Sequence, residues 1–303
     1  MSPDGLWSIG ELAEHAGVTV KTVRFYSDRG LLPDAGRSTG GHRRYGPEAL
    51  DRLRLIRSLR TLDLPIPEVG RVLGAGDALD GELGDVIARR LDDIGSQLTA
   101  LRWRESALRL VQECPPEQRA DRLRLIGSLA TPPNTTALAR FWRRVLPVRL
   151  PARLVDSILD VAVAVPPDDP TPAQVLAFAR LHALVTAPCP PGGNGPPLPP
   201  PGAPYRPAVL YDGLHEAYAL AVAELTAGRT PAAGEALDCF VAAHAAARSA
   251  RDTPEFRHGL AEQLAVETVM DRYWELAAEL ADPEPTMGDA HAWLRTALAD
   301  PAR

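Results

Sequence analysis

The residues nearest the N-terminus that could do chemistry are cationic and aromatic, and their spacing suits a phosphate backbone. Residues 40–45 read Gly-Gly-His-Arg-Arg-Tyr. The two glycines permit a tight turn. His42, Arg43, Arg44 and Tyr45 then offer charge and hydrogen bonds to phosphate oxygens, contacts that position a protein on a duplex without reading its bases. An isolated arginine pair would read as a solvated loop. Here it follows, about a dozen residues on, a short helical stretch that carries Thr19, Lys21, Thr22, Arg24 and Tyr26. That placement favours nucleic acid.

Other chemistries are poorly supplied. Cys114, Cys189 and Cys239 lie far apart. A soft-metal site needs convergent thiolates or imidazoles, and an iron–sulfur cluster usually needs four cysteines. His182, His215, His244, His258 and His291 show no HExxH or comparable spacing. There is no GxSxG, no glycine loop for phosphates after a strand, and no paired cysteine–histidine motif. No enzyme activity, metal or cofactor is therefore expected. Sparse cysteines, no long apolar run and no signal-like start fit a cytoplasmic chain with no membrane span.

The chain has 303 residues and a net charge of −6, which taken alone argues against nucleic acid. The average hides an asymmetry. Residues 1–73 hold 11 basic and 9 acidic residues, whereas the remainder holds 22 and 30. The first part can meet phosphates while the rest keeps the molecule soluble.

The elements that must position these groups can be read in order. Ser8 and Glu11 form a capping box, and Ile9, Leu12 and Ala13 share a helical face. Gly17 suits a turn with positive φ, and Thr19 caps a second helix whose Val20 and Val23, joined by either Tyr26 or Ser27, face the first. Gly30 ends it. Two helices with a short glycine-containing turn match a helix-turn-helix, whose second helix enters the major groove. Pro47 opens a further helix with an apolar stripe at Leu50, Leu53, Ile56 and Leu59. Arg52, Arg54 and Arg57 on it either reach phosphates or form a solvated face. Residues 74–81 read as a loop. Residues 82–113 then give the longest helical run, with Ile87, Leu91, Ile94, Leu98, Leu101 and Leu108 at heptad spacing and Glu105 interrupting it. Such a stripe is either a coiled-coil seam or one face of a globular core.

The stretches IGELAEHAGVTVKTVRFY, GLLP, GHRRY and RLRLIRSLRTLDLPIPEV, within residues 7–73, resemble the winged-helix DNA-binding domain of the MerR family of transcription regulators. The resemblance implies a homodimer paired through an antiparallel helix at residues 82–113, which favours the coiled-coil reading. It also implies action on double-stranded promoter DNA whose polymerase-contacting elements are spaced too far apart, and which the dimer bends and untwists for RNA polymerase. Carried over, Thr19, Lys21, Thr22 and Arg24 face groove and phosphates, and Tyr26, Arg43 and Tyr45 contact the backbone. Two positions depart from the pattern. Phe25 stands where a tyrosine is frequent, so its hydroxyl contact is absent. His42 stands in place of another tyrosine and donates to phosphate with a different reach. Metal-sensing members carry cysteine near the start of the dimer helix, and residues 81–85 have none.

Beyond the long helix, apolar periodicity predicts helices over residues 119–129, 136–145, 152–165, 172–186, 209–227, 231–250, 254–281 and 287–299. The Pro/Gly-rich stretch 188–207 reads as a loop or polyproline connector. Residues 119–303 are thus expected to form an all-α effector domain, with residues 1–75 as the DNA-binding head. The fold class is mainly α. Trp142, Tyr218, Tyr273 and Trp274 are candidate walls of a pocket for a small organic effector. Each could equally be core packing. Asp271 and Glu275 beside the last pair would suit a cationic ligand. Two other functions remain open: a stoichiometric drug-sequestering protein that autoregulates, and an enzyme domain fused to a DNA-binding head.

Overall fold

A computed structural model of the protein describes residues 5–187, 205–266, 269–281 and 284–299. The expected Pro/Gly-rich loop falls outside the described residues except for 205–207, and Cys189 lies outside them too. The described residues form fourteen α-helices and one two-stranded sheet, divided into two compact units, Met1–Ser96 and Gln97–Arg303.

The first unit begins with α1 (Ile9–Ala16) and α2 (Val20–Asp28). Ser8 and Glu11 cap α1 reciprocally, satisfying two otherwise orphaned donors, an arrangement that contributes about 1 kcal/mol. Gly17, at φ 63°, makes the left-handed stop that a β-carbon would penalise. The Thr19 hydroxyl accepts from the Thr22 amide and starts α2. Two short strands follow, β1 (Gly36–Arg37) and β2 (Arg43–Arg44), antiparallel with Gly36 opposite Arg44. They form the wing. Tyr45 pairs with Trp7 through both backbone hydrogen bonds and so ties the wing to the chain's start. Then come α3 (Pro47–Thr61) and α4 (Ile66–Gly74). Leu12, Val23, Leu32, Tyr45, Leu53, Ile56, Val69 and Val72 fill one core. Val20, expected to face α1, is instead 40% exposed, because Val23 and Tyr26 already occupy the buried stripe of α2.

The long helix α5 runs over Leu79–Glu113. It starts three residues earlier than the sequence suggests. The expected loop shrinks to a 3₁₀ turn at Gly76–Ala78, after which Leu79 and Leu83 pack on the head's core beside buried Val86.

The second unit is entirely helical among its described residues, with two apolar clusters. One joins the end of α5 to α6 (Arg119–Ile126), α7 (Thr136–Val145), α8 (Ala152–Ala162), α9 (Pro172–Thr186) and α13 (Val269–Ala281). The other joins α10 (Pro207–Thr226), α11 (Glu235–Ala247), α12 (Pro254–Leu264) and α14 (Met287–Ala299). The single run expected over residues 254–281 is two helices. The Ala265 amide closes α12 onto Ala261 and Glu262.

Candidate functional site

The head presents its recognition face through α2. Thr19, Lys21, Arg24, Phe25 and Arg29 are exposed, and Thr22 is half-buried with its hydroxyl 2.8 Å from that of Thr19. The Arg29 guanidinium lies 3.7 Å over the Phe25 ring. The missing phenol at position 25 therefore leaves a stacked cation on this face rather than a bare apolar patch. Tyr26 is 8% exposed and belongs to the head's core, so of its two readings the core-facing one holds and its assignment as a backbone contact is corrected.

The wing is fixed to α2 by side chains. Arg43 Nη1 donates to Asp28 at 2.6 Å and to Ser27 Oγ at 3.0 Å, and the carboxylate raises the arginine's pKa further above its ordinary value. Tyr45 is 0% exposed and its hydroxyl donates to Ser27 Oγ at 2.9 Å. A phenol enclosed in this way cannot reach a phosphate, so Tyr45 is a positioning residue rather than a backbone contact. His42 is exposed at the wing's tip, and Arg44 is half-buried on β2. Gly41, at φ 77°, makes the turn between the strands.

The arginines of α3 are occupied within the fold. Arg52 donates to the carbonyls of Leu31 and Leu73, and Arg57 donates to Ala16 O at 2.7 Å at the open end of α1. Arg54 pairs with Asp51. Arg52 and Arg57 thereby satisfy carbonyls at the ends of α4 and α1, a use that composition alone does not reveal.

On α5, Ile87, Leu91, Ile94, Leu98, Leu101 and Leu108 are all exposed, between 37% and 72%. The residues of α5 that do enter a core are others: Val86 in the first unit, and Trp103 and Leu110 in the second.

The four effector candidates separate. Trp142, Tyr218 and Trp274 line a cavity of about 1200 Å³ inside the second unit, whereas Tyr273 does not. Tyr273 is fully buried between Phe141 and Trp142, and its hydroxyl donates to Ala162 O at 2.7 Å. It is a core residue, and its assignment to the pocket is corrected. The cation-binding reading also loses its carboxylates: Asp271 is paired with Arg295, and Glu275 with Arg272.

Sequence reasoning missed three histidines that also line the cavity: the exposed His215 on α10, His244 on α11 and His291 on α14. Arg248 Nη1 lies 2.9 Å from His244 Nδ1, and Tyr218 Oη lies 3.1 Å from His291 Nδ1. Burial, with the nearby Arg248 charge adding to it, pushes His244 down to about 3. Burial beside Arg295 pushes His291 down to about 4. Both rings are neutral at physiological pH. Among the described residues no group of histidine, cysteine, aspartate or glutamate is arranged to hold a metal ion, and no helix is long and apolar enough to cross a membrane.

Comparison with known proteins agrees with the head. The model of the MerR HTH family regulatory proteins matches residues 7–75. The mercuric resistance operon regulatory protein of Serratia marcescens is 35% identical over 124 residues, covering 40% of this chain and 86% of that protein. That span is longer than the head alone. The nodulation protein NolA of Bradyrhizobium strain NC92 is 40% identical over 94 residues, 30% of this chain and 37% of its own length. The transcriptional activator TipA of Streptomyces coelicolor is 48% identical over 67 residues, 22% of this chain and 26% of its own. With a helix-turn-helix and wing built from the expected residues, and with most of a mercuric resistance regulator covered, the chain belongs to the MerR family of DNA-binding transcription regulators.

Proposed function

We propose that the protein acts as a homodimer on a long-spacer promoter, distorting the DNA so that RNA polymerase can use both promoter elements. A small organic effector held in the helical domain controls that distortion, and the protein works in the cytoplasm. The observation that carries this reading is the stripe on α5. Six large aliphatic side chains at heptad spacing stand exposed on one helix, a cost that a second copy of the helix would remove at about 25 cal/mol per Å² buried. Pairing gives two recognition helices related by a twofold axis and implies a pseudo-palindromic operator. Thr19, Lys21, Thr22, Arg24, His42, Arg43 and Arg44 meet groove and phosphates in this reading, and Tyr26 and Tyr45 support them from the core.

Replacing Leu91 and Leu98 together by aspartate places like charges in the seam. The double variant should sediment as a monomer with an unchanged helical circular dichroism spectrum, and should lose promoter affinity by more than about tenfold. A dimer that persists at micromolar concentration would remove α5 as the pairing element.

A further inference from the structure

The cavity in the second unit is built from both of that unit's clusters. Trp142, Ile158, Tyr218, His244, Trp274 and His291 each come from a different helix: α7, α8, α10, α11, α13 and α14. Its volume of about 1200 Å³ exceeds the range that ordinarily holds a drug-sized molecule. Three observations define what it can take. The walls are aromatic and aliphatic, with Met270 and Met287 supplying adaptable surface. The Asp271 carboxylate that lines it is already matched by Arg295, while Asp212 and Glu284 are exposed. His244, 5% exposed, carries an unmet hydrogen-bonding atom: its Nε2 has no partner among the described residues.

The chemistry of that atom follows from its neighbour. A guanidinium can only donate, so Arg248 Nη1 makes His244 Nδ1 the acceptor and leaves the proton on Nε2. The result is a buried, unpartnered N–H donor on a residue that lines the cavity. An unpaired buried donor is costly, and a ligand acceptor would satisfy it. We propose that this cavity takes an uncharged, polycyclic aromatic organic molecule whose carbonyl-type oxygen accepts a hydrogen bond from His244 Nε2. The inference rests on the effector reading above and specifies the ligand class. With the His244 and His291 rings neutral and Asp271 matched by Arg295, the charges left on the lining are those of the exposed Asp212 and Glu284.

The full-length protein would be titrated with three fluorescent probes: Nile red (uncharged, with a carbonyl acceptor), pyrene (uncharged, without one) and rhodamine 6G (cationic). Nile red should saturate at one molecule per chain. His244→Phe should weaken Nile red by about tenfold or more and pyrene by less than about twofold. His244→Gln should recover Nile red to within about threefold, since an amide can accept from Arg248 and still donate. Unchanged Nile red affinity in His244→Phe, equal losses for both neutral dyes, or a preference for rhodamine 6G would each overturn the assignment. If His244→Phe gives no cooperative melt, Ala219→Trp, on the exposed part of α10 that lines the cavity, takes its place. Loss of both neutral dyes would then support the site, and retained Nile red would overturn it. Promoter binding and output, measured on the same preparations, separate the two levels. Failure of the unaltered protein to bind Nile red, with promoter output intact, counts against the ligand assignment alone. A dye that binds through His244 yet leaves promoter output unchanged confirms the site and counts against its effector role.

Discussion

Ser27 joins three parts of the head through one hydroxyl. It accepts from Arg43 and Tyr45 and donates to the carbonyl of Leu32, so the wing, α2 and the chain after it meet at one atom. Tyr45→Phe removes one of these bonds without changing the packed volume. It should lower unfolding stability by about 1 kcal/mol in a denaturant melt. Promoter affinity at low temperature should change by less than about twofold, whereas Arg24→Ala, an exposed change on the recognition helix, should weaken it by about fivefold or more. A reversed order in fluorescence anisotropy would return Tyr45 to the DNA-contacting set. His244 makes a second test at this scale. Its folded pKa of about 3 lies below the ordinary 6.5, so the unfolded chain binds the extra proton first. Its contribution to stability is therefore complete above pH 6.5 and is lost as pH falls from there toward 3. His291, pushed down to about 4, acts in the same direction. Thermal melts between pH 7 and 4 should show a smaller drop in His244→Gln than in the unaltered protein, and equal drops would place the acid sensitivity elsewhere.

At the level of elements, what could be read in advance was local. The capping box at Ser8 and Glu11, the positive φ at Gly17 and the proline start of α3 are decided by residues within a few positions of each other, and each stands where the sequence puts it. The heptad spacing on α5 was equally legible, though spacing alone could not say whether the stripe faces a core. The structure leaves that stripe exposed and sends Trp103 and Leu110 inward instead. The division of residues 254–281 was not legible. No proline or glycine stands near residues 265–266, and the Ala265 cap leaves no compositional mark. The cavity was hidden for a related reason: its lining draws on every helix from α7 to α14, so an aromatic tally could not separate Trp274, which lines it, from Tyr273, which does not. Packing between α13 and α14 offers a test. A β-carbon on Gly288 would fall 2.4 Å from Trp274 Cβ, so the helices approach through a position that tolerates no side chain. Gly288→Ala must part them or displace Trp274. It should cost about 1–3 kcal/mol and shift the tryptophan emission, and an unchanged melt would mean that the contact yields freely.

For the whole molecule, charge and pairing act together. The excess of acidic residues after residue 73 opposes DNA in general, so binding must come from the few cations of the head. Lys21 is the chain's only lysine and is exposed on α2 beside Arg24. Each phosphate neutralised releases counterions and adds about 0.9 to the steepness with which log affinity falls against log salt. A single head would therefore lose about 0.9 from that slope on Lys21→Ala. Two heads on a twofold operator would lose about 1.8, because one substitution removes two contacts. The slope, measured by anisotropy across a range of salt on a promoter fragment, thus counts heads without relying on the oligomeric state in free solution. A decrease near 1.8 fits the paired α5 helices. A decrease near 0.9 would mean that one head binds at a time and that the exposed stripe on α5 serves another contact. No decrease would mean that Lys21 does not reach a phosphate, and the affinity would then rest on Arg24, Arg29 and the wing.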